Sequence, residues 1–389
     1  MNTAQKSVVA LMKSALTGQA QPLPEDFSMD EVLRNIKSHH VDVLVYEGAT
    51  LCGVDASSSA MRTLFPKYCK SLQISVRQMR EVERICRTFE ENGIDYMPLK
   101  GCKLKRLYPK PELRTMGDAD ILIRMEQYEK IRPLIQELGF AEKEESDHEL
   151  IWQSEALHLE LHKRLIPSYN EDFYTYFSEG WQLAKPEEGT RYAMTVEDEW
   201  IFLFTHFAKH YRDGGIGCRY LADLWLYRKA HPDMDEPFVA EQLQKLQLLE
   251  FYSNILQVIK VWFEDAPSDR KTDFITDFVF SGGSWGSSES KIVSRAVRDA
   301  KHVPEGFSAK LVFLWQTAFP DIYALREKYA VLKKHPRLLP LVWFCRPFYK
   351  VLFERKTLRD HKRKLDSITQ EKIEKRRQAL RYVGIDYNF

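Results

Sequence analysis

The sequence contains little cysteine for its length and no paired cysteine motif. Its 389 residues include six cysteines, which are widely scattered and form no Cys-x-x-Cys pair. A disulfide framework and a cysteine-based zinc cluster both depend on characteristic cysteine spacings, so the sequence argues against both. A reducing, cytoplasmic setting is therefore expected.

Long apolar runs and an excess of charge are also missing. Residues 1–20 include two lysines and no long apolar segment, so no signal peptide is expected. The most apolar later stretch, Leu338–Phe353, is short and contains Arg346, Pro347 and Lys350, which argues against a membrane span. The chain has 57 Lys and Arg against 56 Asp and Glu, a net charge of +1, so no dominant polyanion-binding surface is indicated.

Apolar residues are frequent enough for a large core, at 44% of the chain, and their spacing changes along it. Steps of three and four residues predict helices over about Phe27–Glu91, and helical spacing returns after about residue 187. Between these regions, short apolar segments alternate with a helix that ends near Gly139, which is typical of an α/β unit. We therefore predict an N-terminal helical segment (1–91), an α/β domain (92–187) and a helical C-terminal region (188–389).

Several features of the C-terminal region can be placed more closely. Thr195 is predicted to cap a helix, with Asp198 three residues later in the manner of a capping box. Further helical runs are predicted at Ile216–Lys229, Glu236–Phe263 and Ala309–Lys333, with a glycine-rich loop at Ser281–Ser287.

The tail is distinctly basic. Over Arg337–Arg381 there are 14 Lys and Arg and 5 Asp and Glu. Few aromatic residues lie among these charges, so a solvated basic helix is favoured over a nucleic-acid-binding surface or a surface for an acidic partner.

Two aspartates stand at the beginning of an apolar strand, in Gly117-Asp118-Ala119-Asp120-Ile121. Residues two apart in a strand point to the same side of the sheet, so the two carboxylates are expected to lie side by side. Like charges this close are unfavourable unless a cation lies between them or one is protonated. The pair therefore suggests a divalent metal site, and Mg²⁺ is the natural candidate because it prefers oxygen ligands.

A third carboxylate is available in the alternating segment Leu157-His158-Leu159-Glu160-Leu161-His162. The alternation places Glu160 on the face opposite the leucines. If this strand lies beside that of Asp120, three carboxylates could hold two metal ions, as in phosphoryl or nucleotidyl transfer. His162, on the same face, could orient a carboxylate or the acceptor, or make only a structural hydrogen bond.

Candidate phosphate-binding residues precede the two aspartates. Gly101 follows a predicted strand and begins a short helix, where a glycine permits a phosphate to approach backbone N–H groups. Lys100, Lys103 and Arg114 could supply positive charge to a triphosphate. Each of these elements is weak evidence alone, but their order along one α/β unit favours a functional site.

Two histidines, His206 and His210, share one face of a predicted helix. With Asp223 they could form a metal site, but polar helix packing or an acceptor-pocket wall is favoured because no further firm ligand is evident. Arg219 and Asp223 are predicted to form a pair on the surface of one helix.

These motifs together resemble the uncharacterised nucleotidyltransferase family of the DNA polymerase beta-like superfamily. The resemblance rests on Leu99-Lys100-Gly101, Leu107-Tyr108-Pro109, Arg114, Gly117–Ile123 and Glu160-Leu161-His162. Blocks further along the chain also match, namely His206–His210, Arg219–Asp223, Ser281–Ser287, Phe319-Pro320 and Leu338–Pro340.

The resemblance implies an α+β fold with a mixed sheet and flanking helices, and Mg²⁺-dependent transfer of a nucleoside monophosphate from a nucleoside triphosphate such as ATP, with release of pyrophosphate. Asp118 and Asp120 match the two metal-binding aspartates, and Glu160 matches the third acidic position. The sequence departs from the superfamily in the spacer, because Asp118 lies 17 positions after Gly101. This longer spacer leaves the mode of triphosphate binding open.

The leading hypothesis is a nucleotidyltransferase acting on a hydroxyl acceptor, which could belong to a small molecule, a protein or an RNA end. Glu160 would bind the metal ion on the nucleophile side or act as the base. A non-catalytic nucleotide-binding or partner-binding protein with the same fold is the main alternative. A metal-dependent phosphohydrolase is a third possibility.

Overall fold

The computed structural model describes residues 1–168, 171–283, 331–353 and 369–385, together with residues 293, 294, 297, 319, 320, 322, 325 and 329. Most of the predicted helix Ala309–Lys333 and the end of the predicted loop Ser281–Ser287 lie outside these residues. Of that loop, Ser281 and Gly282 instead form the end of a helix.

Helices make up most of the described chain. Four N-terminal helices are α1 (Thr3–Thr17), α2 (Met29–Ile36), α3 (Asp42–Leu51) and α4 (Ser59–Glu91). Three more accompany the sheet: α5 (Gly101–Leu104), α6 (Tyr128–Glu137) and α7 (Glu171–Phe177). The later helices are α8 (Val196–Arg212), α9 (Cys218–Ala230), α10 (Glu236–Lys245), α11 (Leu249–Phe263), α12 (Arg270–Gly282), α13 (Val331–Lys334), α14 (Leu339–Phe353) and α15 (Gln370–Tyr382).

A mixed seven-stranded sheet has the order β3-β4-β5-β2-β1-β7-β6. The strands are β1 (Tyr96–Pro98), β2 (Ala119–Ile123), β3 (Ala141–Glu145), β4 (Glu149–Gln153), β5 (His158–His162), β6 (Lys185–Glu188) and β7 (Arg191–Ala193). β2 runs parallel to β5 and antiparallel to β1. The predicted α+β class, with a mixed sheet and flanking helices, is thereby confirmed.

The two faces of the sheet bury different groups. Ile121 of β2 and Leu161 of β5 face a cluster that includes Ile85 of α4 and Ile131 of α6. The opposite face belongs to a second core, which extends from the N-terminal helices to the helices after residue 195. Side chains alternate along a strand, so Asp120 and Glu160 project from the face opposite to Ile121 and Leu161.

Local signals explain where α8 begins. The side-chain oxygen of Thr195 accepts a hydrogen bond from the Asp198 N–H at 3.1 Å. This bond satisfies one of the free N–H groups of the first helical turn, and the predicted N-cap is confirmed.

Three differences from the sequence prediction have physical causes. The run Glu236–Phe263 was expected to be one helix, but it divides into α10 and α11, with Gln247 at a left-handed φ of 56°. Strand β3 was not predicted, because it is exposed throughout and has no apolar alternation. Backbone pairing with β4 holds it in the sheet. The unpredicted strands β6 and β7 likewise pair with each other at the other edge of the sheet.

Part of the basic tail packs on the helical region. In α15, Arg376 donates a hydrogen bond to the Tyr211 carbonyl at 2.7 Å, near the C-terminal end of α8. Ile373 and Leu380 of the same helix are buried. Among the helices that the structure describes, none is both long and apolar enough to cross a bilayer. The domain boundaries at residues 91 and 187 stay a prediction.

Candidate active site

A cavity of about 460 Å³ lies between the sheet and helices α8 and α9. One side, the sheet wall, is formed by Lys100, Asp118, Asp120 and Glu160. The other side, the helix wall, is formed by His206, Lys209, His210, Arg219 and Tyr220. The cavity therefore places the predicted carboxylates opposite basic and aromatic side chains.

The parallel pairing of β2 and β5 sets the geometry of the sheet wall. Asp120 and Glu160 are directly paired across these strands, which is the adjacency that the sequence prediction required. His162 lies further along β5, and its Nε2 is 2.9 Å from Oδ1 of Asp120. Asp120, Glu160 and His162 have potential ligand atoms within 4.8 Å of one another. Strand register thus builds a buried acidic and imidazole cluster.

The loop before β2 is held by donors from several elements. Gln78 of α4 donates to the Met116 carbonyl at 3.0 Å. Lys105, just after α5, donates to the Arg114 carbonyl at 2.6 Å. These bonds restrict the backbone that leads into Asp118, so the position of this carboxylate is determined by tertiary contacts.

The two aspartates differ in their electrostatic surroundings. Asp120 is 3% exposed, and burial alone would raise its pKa, but Lys100 and His162 outweigh burial and hold the pKa well below its usual range. Burial, together with the charges of Asp120 and Glu160, raises the pKa of Asp118 to about 6. Asp118 makes no hydrogen bond or ion pair within the described ranges. A cation at this position would relieve the repulsion between the carboxylates.

Lys100 neutralises part of this acidic cluster. Its Nζ lies 2.7 Å from Oδ1 of Asp120. Its backbone has φ 41° and ψ −112°, a conformation that glycine adopts more readily than lysine. Strain of this kind persists only where surrounding contacts impose it, and here it accompanies the approach of the ammonium to Asp120.

Close packing favours the glycine after Lys100. A Cβ on Gly101 would come within 3.0 Å of the Arg114 guanidinium and 3.1 Å of the Met116 side chain. The glycine therefore lets the start of α5 approach the loop before β2.

Of the other two predicted phosphate-binding residues, only one lines the cavity. Lys103 is outside the residues that line the cavity, and its Nζ binds Glu199 at 2.7 Å. Arg114 lines the cavity but forms a buried ion pair with Asp223, with N–O distances of 2.7 and 2.9 Å. The roles proposed for these two residues stay predictions.

The pairing of Asp223 corrects two expectations from the sequence. Asp223 accepts from Arg114 and, at 2.8 Å, from the Tyr108 hydroxyl, so the predicted pair with Arg219 is wrong. His206 and His210 contact each other through their Nε2 atoms at 3.1 Å. Because Asp223 is held by Arg114, no His206–His210–Asp223 metal group forms in the described structure.

The side chains of the helix wall are partly buried. Burial, with contributions from Lys100 and His210, lowers the pKa of His206 well below its usual value, which favours the neutral ring. Burial also lowers the pKa of Lys209, and Lys100 adds to this effect. Lys209 was not predicted to be functional, since a single lysine between two histidines carries no motif.

Two further residues that line the cavity were not predicted from the sequence. His148 and Glu149 line the cavity, and their side chains are 3.1 Å apart. The contact with His148 outweighs burial and lowers the pKa of Glu149 to about 2. Glu149 is paired with His162 across β4 and β5, and the alternation Glu149–Gln153 was the available signal.

The residues of the sheet wall fit a divalent cation. The carboxylates of Asp120 and Glu160 are hard oxygen donors, and His162 adds one nitrogen donor within the same 4.8 Å group. Asp118, although outside that group, faces the same cavity with an unpaired carboxylate in the described structure.

Comparison with known proteins gave one family match. The model of a family described as uncharacterised nucleotidyltransferase matches residues 25–264. That range includes the whole sheet and helices α2 to α11, and therefore both walls of the cavity. Neither the curated proteins nor the solved structures gave a match to this chain.

Proposed function

Because the chain belongs to the uncharacterised nucleotidyltransferase family, we propose that it transfers a nucleoside monophosphate from a nucleoside triphosphate to a hydroxyl acceptor. Pyrophosphate would be the leaving group. The observation that carries the proposal is the pairing of Asp120 with Glu160 on one wall of a cavity that also contains Asp118.

We assign the binding of Mg²⁺, with two ions, to Asp118, Asp120 and Glu160. His162 is available as an additional donor or as a hydrogen-bonding partner of Asp120. When bound, the metal would supply Lewis-acid activation of the acceptor hydroxyl and would offset charge on the leaving group. Support comes from the convergence of these donors and from the unpaired state of Asp118 within the described residues.

The chain's own groups would position the reactants. Gly101 begins α5 and lines the cavity, so its backbone is suited to the approach of a phosphate. Lys100 would chiefly hold Asp120 in place through their ion pair. Arg114 would act mainly through its pair with Asp223, which joins the sheet side of the cavity to α9. Glu160 is placed to accept a proton from the acceptor hydroxyl, or to serve only as a ligand.

The test uses the full chain with Mg²⁺, each of four α-labelled nucleoside triphosphates, and a cell extract as the source of acceptor. Asp118→Asn, Asp120→Asn and Glu160→Gln should each reduce label transfer by about 10³-fold, as expected for loss of a major electrostatic contribution. Chelation of divalent ions should abolish transfer. Asp95→Asn is the matched control, because Asp95 lies immediately before β1 and pairs with Arg124 outside the cavity.

Full transfer by folded Asp118→Asn or Asp120→Asn would refute the assignment. Mg²⁺-dependent stabilisation by a triphosphate without any transfer would instead support the non-catalytic alternative. That alternative has one specific observation in its favour, the Lys100 ammonium already placed on Asp120. Release of orthophosphate without label transfer would indicate a phosphohydrolase.

A further inference from the structure

The basic residues expected to bind the triphosphate are already neutralised within the protein. Lys100 pairs with Asp120, Lys103 with Glu199 and Arg114 with Asp223, each at 2.7 Å. A cation in a close ion pair offers little net charge to a ligand, because its carboxylate partner opposes the attraction of an anion. Another source of positive charge is needed for a polyphosphate in this cavity.

Lys209 is such a source. It lies on α8, lines the cavity and is partly buried, and its ammonium makes no hydrogen bond or ion pair with the described residues. Removing an ammonium from water without a counter-charge is costly, and the cost is recovered when an anion binds beside it. The lowered pKa of Lys209 agrees with this lack of a partner.

Arg219 is a second source, and it is held in place. One guanidinium nitrogen, Nη1, donates to the Thr115 carbonyl at 2.6 Å and contacts the Thr115 hydroxyl at 3.2 Å. Its Nε is buried without a hydrogen-bond partner, and no carboxylate within the described chain forms an ion pair with it. A guanidinium fixed in this way can donate to phosphate oxygens with little further loss of side-chain freedom.

The start of α9 adds to the positive potential. Arg219 and Tyr220, in its first turn, both line the cavity. The N-terminal end of a helix carries partial positive charge, which favours nearby anions.

We propose that Lys209 and Arg219 form the subsite that binds the pyrophosphate portion of the nucleoside triphosphate, opposite the carboxylates of the sheet wall. The identity of the anion rests on the proposed function. The arrangement places the negative leaving group against two basic residues without carboxylate partners, while the paired residues Lys103 and Arg114 serve the structure.

The experiment measures binding of inorganic pyrophosphate to the full-length protein by isothermal titration calorimetry, in buffer without divalent metal. Lys209→Gln and Arg219→Gln should each weaken binding by about tenfold or more, the range expected for loss of a charge-assisted hydrogen bond. Arg219→Lys should recover part of the affinity, since it keeps the charge but loses the planar donor geometry.

Lys229→Gln is the matched control and should leave the affinity within about twofold, a change too small for loss of a charged contact. Lys229 lies on α9, as Arg219 does, but it is exposed and outside the cavity. Circular dichroism and a cooperative thermal transition verify that each variant is folded. Should Arg219→Gln fail this check, Lys209→Gln and Arg219→Lys still decide the question.

The possible outcomes test the subsite independently of the proposed reaction. Unchanged pyrophosphate affinity in Lys209→Gln and Arg219→Lys would overturn the subsite, even if the wild-type protein transfers nucleotides. Failure of the wild-type protein to bind pyrophosphate would overturn it as well. Weakened binding in these variants would support the subsite, and absence of nucleotide transfer by the wild-type protein would then count against the reaction alone.

Discussion

On the sheet wall of the cavity the Lys100 ammonium lies 2.7 Å from Asp120, whereas on the helix wall Lys209 has no ion pair within the described residues. Both walls are built from partly buried polar side chains, but they balance charge differently. On the sheet wall, Lys100 neutralises part of the acidic cluster through its ion pair with Asp120. On the helix wall, Lys209 and Arg219 line the cavity without ion pairs to carboxylates in the described structure. Within one site, the sheet wall thus carries an internal ion pair, whereas the helix wall carries the proposed anion-binding residues.

The largest expected effect tests the pair that joins the two sides. Arg114→Met should lower the free energy of unfolding by about 3–5 kcal/mol, because it leaves Asp223 buried without its counter-charge. Guanidinium denaturation measures the change. The double variant Arg114→Met/Asp223→Leu should lose less, since it removes both charges together.

The control for this pair is Lys245→Gln, which breaks the exposed pair with Glu241 and should change stability by less than about 1 kcal/mol. If Arg114→Met destabilised the protein no more than this control, the pair would not be a structural link between the walls.

The strained backbone of Lys100 provides the next test on the sheet wall. Lys100→Gly and Lys100→Ala both remove the ammonium, so their difference reports on the backbone. Lys100→Gly should be more stable than Lys100→Ala by about 1–2 kcal/mol, because glycine tolerates a positive φ. Chemical denaturation of both variants measures this difference.

The same pair of substitutions at Lys130, an exposed position within α6, should show the opposite order, because alanine is favoured in a regular helix. Equal stability of Lys100→Gly and Lys100→Ala would contradict the assignment of strain to this residue.

A smaller effect is expected from crowding where α5 meets the loop before β2. Gly101→Ala should cost about 1 kcal/mol, because the new methyl group must displace Arg114 or Met116 by a few tenths of an ångström. Thermal denaturation would detect the loss. Gly117→Ala is the control, since no atom lies within 4 Å of the added Cβ. A matching loss in both variants would argue against close packing at Gly101.

The smallest effect concerns the start of the helix that carries Lys209. Thr195→Ala should lower stability by about 1 kcal/mol through loss of the cap on α8, as measured by thermal denaturation. Thr195→Ser keeps the hydroxyl and should remain near the wild-type value. A Thr195→Ser variant as unstable as Thr195→Ala would show that the hydroxyl is not the stabilising group.

Much of the sheet wall could be predicted from local patterns. The alternation in residues 157–162 and the spacing of Asp118 and Asp120 place their carboxylates by the two-residue period of a strand. The sequence predicted that Asp120 and Glu160 would converge only if their two strands were neighbours, and it did not show that they are. Strand order depends on contacts between residues about 40 positions apart, which no local period encodes.

The sequence by itself determined the apolar strands, most of the described helical regions, the cap at Thr195 and the residue types available for metal and phosphate binding. Only the tertiary structure decided which charges meet. Asp223 was expected to pair with Arg219 four residues away, but it pairs with Arg114, 109 positions distant along the chain. A helical period reports which residues share a face, whereas burial selects the partner that best satisfies a charge removed from water. That choice leaves Arg219 without a carboxylate partner in the described structure, in the cavity that Lys209 also lines.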